Sequence, residues 1–203
     1  MNKLPITFYQ REDVLTIARE LLGKLLVTRF NDVLTSGRIV ETEAYNGIAD
    51  KASHAFGGRR TKRTEVMFGA AGFAYVYLCY GIHHMFNVVT NDQGTPHAIL
   101  IRGIEPVHGK EIMMERFHKT SFNKTIGRGP GNVAKALGIQ TIHTSYPLTG
   151  NEIYIADDGF VPGQSDIIAS PRIGVDYAGE DAKLLYRYYI QHNPFVSRIN
   201  GIR

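Results

Sequence analysis

Apolar residues recur at helical spacing in residues 12–22, EDVLTIARELL, where Val14, Leu15, Ala18, Leu21 and Leu22 mark one face. Asp13 is placed to cap the start of this helix and Gly23 to stop it. The pattern then changes period. LLVTRF (25–30) reads as a strand, NDVLTSG as a turn-rich connection, and GRIVETEAY (37–45) as a second strand. Residues 46–72 contain no long periodic element. FAYVYLCY (73–80) and MFNVVT (85–90) flank YGIHH and predict a β-hairpin. HAILIRGIEP (97–106) predicts a strand ending at Pro106, residues 108–118 a short helix, and GRGPGNVAKALGI (127–139) a glycine-rich loop running into a helix. Further strands are expected at 153–155 and 167–175, and the aromatic tail LLYRYYI (184–190) is expected to pack on the sheet. There is no internal repeat and no linker long enough to divide the chain. The prediction is one α+β domain over residues 1–203, with short helices around a curved, largely antiparallel sheet from which a hairpin protrudes.

The strand at 37–45 changes this from a fold prediction to a chemical one. Side chains alternate along a strand, so Ile39, Glu41, Glu43 and Tyr45 share one face and Val40, Thr42 and Ala44 the other. A solvated edge strand also carries glutamates. Here, however, both lie between Ile39 and Tyr45 on their own face, which puts one or both at the boundary of something partly buried. Periodicity alone does not choose between Glu41 and Glu43.

Composition bounds the remaining possibilities. The 203 residues suffice for one substantial core, and 21 glycines imply many turns. The formal charge of +4 permits an acidic partner without demanding one, so the distribution of basic residues decides. Cys79 is the only cysteine, which rules out an internal disulfide and a cysteine-based metal cluster and suits a reducing compartment. No apolar run reaches signal-peptide length at the N-terminus or the roughly 20 residues of a membrane span. The expectation is a cytoplasmic, nucleoid-associated protein with no membrane partner.

Three features then stand close together: the carboxylate strand, the basic loop Arg59-Arg60-Thr61-Lys62-Arg63 behind Gly57-Gly58, and the hairpin with Tyr75, Tyr77, Tyr80, His83 and His84. Taken singly each has a plain reading, as sheet packing or solvated surface. His54 alone is more often structural than a ligand. With no HExxH, no GxSxG and no metal-ligand ladder, metallohydrolase and acyl-enzyme chemistry start low, and neither metal nor cofactor is expected. Jointly the three features fit an enzyme that everts a base. Phosphates need Arg and Lys on a loop, an everted base needs flat aromatic walls, and a hairpin tip delivers a side chain into the vacated stack. Rival readings are a hydrolase of related N-glycosidic bonds in RNA or nucleosides, a non-catalytic nucleic-acid binding module, and a structural domain with a polar sheet face.

RIVETEAY (38–45), KASHAFGGRRTKR (51–63), YVYLCYGIHHMFNVV (75–89), ILIRGIEP (99–106), GPGNVAKALGI (129–139) and SPRIGV (170–175) occur in an order that resembles the 3-methyladenine DNA glycosylases of the alkyladenine (alkylpurine) type. That resemblance implies excision of damaged purines from double-stranded DNA at the start of base excision repair. It assigns water activation to Glu43, the pocket walls to Tyr45, Tyr77 and His54, and the screening of guanine to Asn87. It makes Tyr80 the wedge and gives Arg102 to the region of the water and glutamate or a nearby phosphate. Arg59, Arg60, Lys62 and Arg63 are expected on the DNA backbone. Many relatives carry Lys where this chain has Asn132, which implies a weaker or relocated phosphate contact. Lys51 and Lys62 have ready roles at phosphates, so water rather than an amine is the expected nucleophile, and the strand stays uncut. Cationic alkylated purines are expected to stack on electron-rich tyrosine faces. A monomer is expected.

Overall fold

A computed structural model describes residues 1–197. The chain runs through β1 (Asn2–Lys3), α1 (Ile6–Tyr9), α2 (Val14–Glu20), β2 (Leu25–Phe30), β3 (Val33–Tyr45), β4 (Ala74–Cys79) and β5 (His83–Thr90). It continues through β6 (His97–His108), α3 (Lys110–Arg116), α4 (Pro130–Leu137), β7 (Ile153–Asp157), β8 (Ile167–Ser170) and β9 (Arg187–Ile190). Among the described residues nine strands form one sheet in the order β1-β7-β2-β3-β6-β5-β4, with β9 joining β3 and β8 joining β9. Every strand pair is antiparallel. The fold is the expected α+β arrangement. Among the described residues no helix is long and apolar enough to cross a membrane.

Local chemistry explains the helix limits. Asp13 accepts hydrogen bonds from the backbone N–H groups of Leu15 and Thr16, at 2.9 and 3.1 Å, and so caps α2. The Thr42 hydroxyl donates to the Ala18 carbonyl at 2.9 Å and ties α2 to β3. Pro130 opens α4, and Gly138 ends it in the left-handed region.

Several boundaries differ from the sequence pattern. The connection at 31–37 is only the two-residue turn Asn31-Asp32, both at positive φ, and β3 already begins at Val33. A primed turn matches the twist of its strands, which lets β3 extend through the polar residues. Pro106 does not end β6, which runs on to His108. Beyond Leu100 the ladder of β6 runs to β3 alone, apart from one bridge from Gly103 to Arg128, and the register shifts nearby. A residue without an N–H is tolerated at such a place. β8 stops at Ser170, before Pro171, and residues 171–175 form a loop. β1 and α1 carry no strong pattern and were not expected.

The ladder register divides the sheet into two faces. Ala44, Ile99, Val88 and Ala74 are paired in sequence across β3, β6, β5 and β4, and all four belong to the main apolar core with α2 and α4. The adjacent row, Glu43, Leu100, Asn87 and Tyr75, runs across the same four strands on the opposite face. Register irregularities on either side of Glu41 break the regular alternation. In consequence Ile39 joins Ala44 in the main core instead of sharing a face with the two glutamates.

Candidate active site

The polar row floors a cavity of about 380 Å³. Tyr75, Tyr77, Asn87, Leu100 and Arg102 come from the sheet, with Tyr45 at the end of β3. His54, Arg63 and Met67 come from the segment of short turns between β3 and β4. The loop Ile173-Gly174-Val175 and Tyr177 close another side. The hairpin tip contributes Tyr80, which is 92% exposed. Tyr80 adopts positive φ and is followed by Gly81, also at positive φ, so the turn that aims the ring outward is left-handed twice over.

Glu43 is fully buried below this cavity. Its Oε2 accepts from the Tyr45 hydroxyl at 2.9 Å and from Arg102 Nη1 at 3.2 Å. Its Oε1 accepts from the Ile173 backbone N–H at 2.7 Å. Glu41 is equally buried and also holds three bonds, from Arg102 Nε at 3.1 Å, Arg187 Nε at 2.7 Å and the Ser197 N–H at 2.7 Å. The difference is where the partners stand. All three partners of Glu43 line the cavity; of Glu41's partners only Arg102 does. Gly103 allows the approach, since a Cβ there would meet the Phe195 carbonyl oxygen at 2.8 Å and Glu41 Cβ at 3.1 Å.

Burial opposes a charge on Glu41, but Arg102 and Arg187 outweigh it and hold the carboxyl below its ordinary value. Burial likewise opposes the charge on Arg102, and the two glutamates more than restore it. Burial and the Glu43 charge push the Tyr45 hydroxyl well above its usual value, so it stays a donor. Burial, then the charges of Arg63 and Arg59, lower His54 to about 4, which leaves it neutral near pH 7.

The pocket walls have a definite arrangement. His54 Nδ1 and the Tyr75 hydroxyl are 2.8 Å apart. The His54 ring stands edge-on to Tyr77, with centroids 4.7 Å apart and planes at 77°. Asn87 donates its amide N–H groups to the Tyr75 and Met85 carbonyls at 3.1 and 3.2 Å. Flipping that amide would set oxygen against oxygen, so the orientation is fixed and Oδ1 is left for the cavity side.

The basic loop divides. Arg59, Lys62 and Arg63 are exposed, and Arg60 binds Glu65 at 2.5 Å on the surface and stacks on Phe68. Arg63 alone reaches the cavity. Asn132 braces its own loop, donating to the Thr125 and Arg128 carbonyls at 2.9 Å each. His84 Nδ1 accepts from the Thr141 N–H at 3.2 Å, and among the described residues no group of three or more His, Cys, Asp or Glu is disposed to hold a metal.

Sequence reasoning missed two arginines. Arg172, its side chain buried, forks onto Asp50 through Nη1 and Nη2, the latter at 2.8 Å, and donates to the Ala44 carbonyl at 3.0 Å. That clamp fixes the loop whose Ile173 N–H holds Glu43. Arg187 sits opposite Glu43 in the ladder and pairs with Glu41. Arg172 stood in a segment read as a strand, and Arg187 in one read only as aromatic packing; no spacing rule marks either.

A buried carboxylate thus lies beneath an aromatic cavity, with the exposed ring of Tyr80 at the hairpin tip beside it. The family model described as methylpurine-DNA glycosylase matches residues 7–194. A protein of Bacillus cytotoxicus named "Putative 3-methyladenine DNA glycosylase" is 45% identical over 97% of this chain and all of its own length. Proteins of the same name from Bacillus cereus and Clostridium acetobutylicum are 46% and 44% identical, each over 96% of this chain and 98% and 97% of their own. The chain belongs to the methylpurine-DNA glycosylase family: it is a DNA-binding glycosylase of base excision repair that acts on alkylated purines.

Proposed function

We propose that the protein everts a damaged purine from duplex DNA and hydrolyses its N-glycosidic bond with water activated by Glu43, leaving an abasic site in an uncut strand. The observation that carries this reading is the placement of all three hydrogen-bond partners of Glu43 in the cavity wall. Arg102 and the Ile173 N–H hold the carboxylate in place, oriented toward the sugar of an everted nucleotide. Its negative charge also opposes the positive charge that grows on that sugar. Tyr80 fills the vacated stack, and Arg59 and Lys62 meet the backbone. Two stacking contacts of ~4.5 Å or more each do not fit between His54 and Tyr77, 4.7 Å apart, so base entry turns His54 aside. The substrates are 3-methyladenine together with 7-methylguanine, hypoxanthine and ethenoadenine, and Asn87 screens guanine. No lysine lines the cavity among the described residues, which favours water over a Schiff base. The enzyme acts as a monomer in the cytoplasm.

The test is excision on duplexes carrying each of these lesions, with and without alkali, and with borohydride present. The expected products are free base and a strand that breaks only in alkali. A protein–DNA adduct trapped by borohydride would overturn the water mechanism.

A further inference from the structure

Two cavity tyrosines already carry a cation of the protein's own. Arg63 Cζ lies 5.3 Å from the centroid of Tyr77, and Arg172 Cζ lies 4.9 Å from that of Tyr45. One face of each ring is therefore taken before any base arrives, which leaves the other for a purine. The two arginines differ in charge balance. Asp50 neutralises Arg172. Arg102 and Arg187 are balanced by Glu41 and Glu43. Arg63 lines the cavity and, among the described residues, pairs with no carboxylate. Its neighbour Arg60 is occupied by Glu65 outside the cavity. Arg63 thus leaves the solvent-open side of the cavity with an uncompensated positive charge, and the depressed value of His54, caused first by burial and then by Arg63 and Arg59, registers the same field.

We infer that Arg63 sorts damaged purines by charge, favouring bases that are neutral in DNA over bases that carry a fixed positive charge. The inference rests on the glycosylase reading above and adds a selecting residue to it. When the C1′–N9 bond breaks, both electrons go to the base. Water oxygen bonds to C1′ and its proton passes to the Glu43 carboxylate. A cationic alkylpurine leaves as a neutral molecule. A neutral purine leaves negatively charged until it collects a proton from solvent. The Arg63 guanidinium supplies hydrogen bonds to that negative base without giving up its own proton, because Arg stays protonated throughout the working range. Before the bond breaks, the same charge repels a cationic base. Both effects act in one direction. Arg63 was read from the sequence as a backbone contact; its place in the cavity wall gives it a contact with the base.

The test is single-turnover excision of hypoxanthine and of 7-methylguanine from otherwise identical duplexes by wild type, Arg63→Gln and Arg63→Lys. In Arg63→Gln the ratio of hypoxanthine to 7-methylguanine rates should fall roughly ten- to a hundredfold, the span of one hydrogen bond to a charged group. Arg63→Lys should recover much of the ratio, because it restores the charge. Equal losses on both lesions, or an unchanged ratio, would overturn the inference and return Arg63 to a phosphate or packing role. A wild-type protein that releases neither base would overturn the glycosylase reading itself.

Discussion

Glu41 and Glu43 stand two residues apart on one strand, are equally buried and share Arg102, yet their surroundings prepare them for different work. Around Glu41 the partners are Arg102, Arg187 and the backbone at Ser197, and the last two lie outside the cavity wall. Around Glu43 they are a tyrosine hydroxyl, the shared arginine and a loop N–H, all in the cavity wall. Burial and hydrogen-bond number are matched, so neither separates a structural carboxylate from a reactive one. What separates them is whether the partners themselves line the cavity.

The most severe way to test this contrast is to neutralise each carboxylate. Glu43→Gln should slow single-turnover excision by about 10²–10⁴-fold, the usual span of general-base catalysis, while lesion binding persists. Glu41→Gln should instead destabilise the protein by about 3–5 kcal/mol, because it strands buried guanidinium charge. Folded Glu41→Gln should keep much more activity than Glu43→Gln. Denaturant unfolding beside single-turnover rates checks both, and a dead Glu41→Gln with an active Glu43→Gln would reverse the assignment.

A finer test exchanges the arginines. Arg172→Lys loses the fork onto Asp50 and loosens the loop that carries Ile173, so excision should fall roughly ten- to a hundredfold through misplacement of Glu43. Lesion affinity should change little. Arg187→Met touches only the Glu41 side and should lower stability while leaving the excision rate of the folded protein within a few-fold of wild type. Equal kinetic defects in the two variants would show that the cluster acts as one unit.

The smallest effects separate the two regions by pH. His54 is lowered in the folded protein to about 4 from an ordinary 6.5, so the unfolded chain takes up a proton that the folded one refuses. Its stabilising contribution is full above pH 6.5 and is lost as pH falls from there toward 4. The Glu41 contribution is full above the ordinary carboxylate range and is lost lower still, as pH falls through its depressed value. His54→Gln should flatten the stability profile in the upper window and leave the lower one unchanged. Thermal unfolding between pH 3 and 8 measures both windows.

The sheet was legible wherever one face is apolar. The row Ala44, Ile99, Val88 and Ala74 gives the alternation that marks strands, and the hairpin announces itself through its turn. Glu43 was legible as one of two candidates, and the resemblance chose between them. Periodicity could not choose, because the irregularity beside Glu41 leaves both carboxylates on one face while it moves Ile39 to the other. Arg172 and Arg187 were illegible for a different reason. Each acts across more than a hundred residues of chain, on Asp50 and Glu41, and local pattern carries no trace of such a pairing. Arg63 was noticed, but only for its charge; its entry into the cavity depends on turns that have no period.

The hairpin has one further consequence, for behaviour at high concentration. β4 is the last strand of the sheet path, and its free edge is the kind that recruits foreign strands. Residues 144–148 cover most of it. Leu148 N–H bonds the Gly72 carbonyl at 2.7 Å, Ser145 N–H the Ala74 carbonyl at 2.8 Å, and Thr144 Oγ1 both accepts from Val76 N–H at 3.1 Å and donates to its carbonyl at 2.7 Å. Leu78, next in the alternation, has no such cover among the described residues. The uncovered edge is too short to template another chain, although it leads directly to the exposed Tyr80 and Ile82. The protein thus keeps an exposed apolar tip on a strand that has almost no edge left to aggregate through.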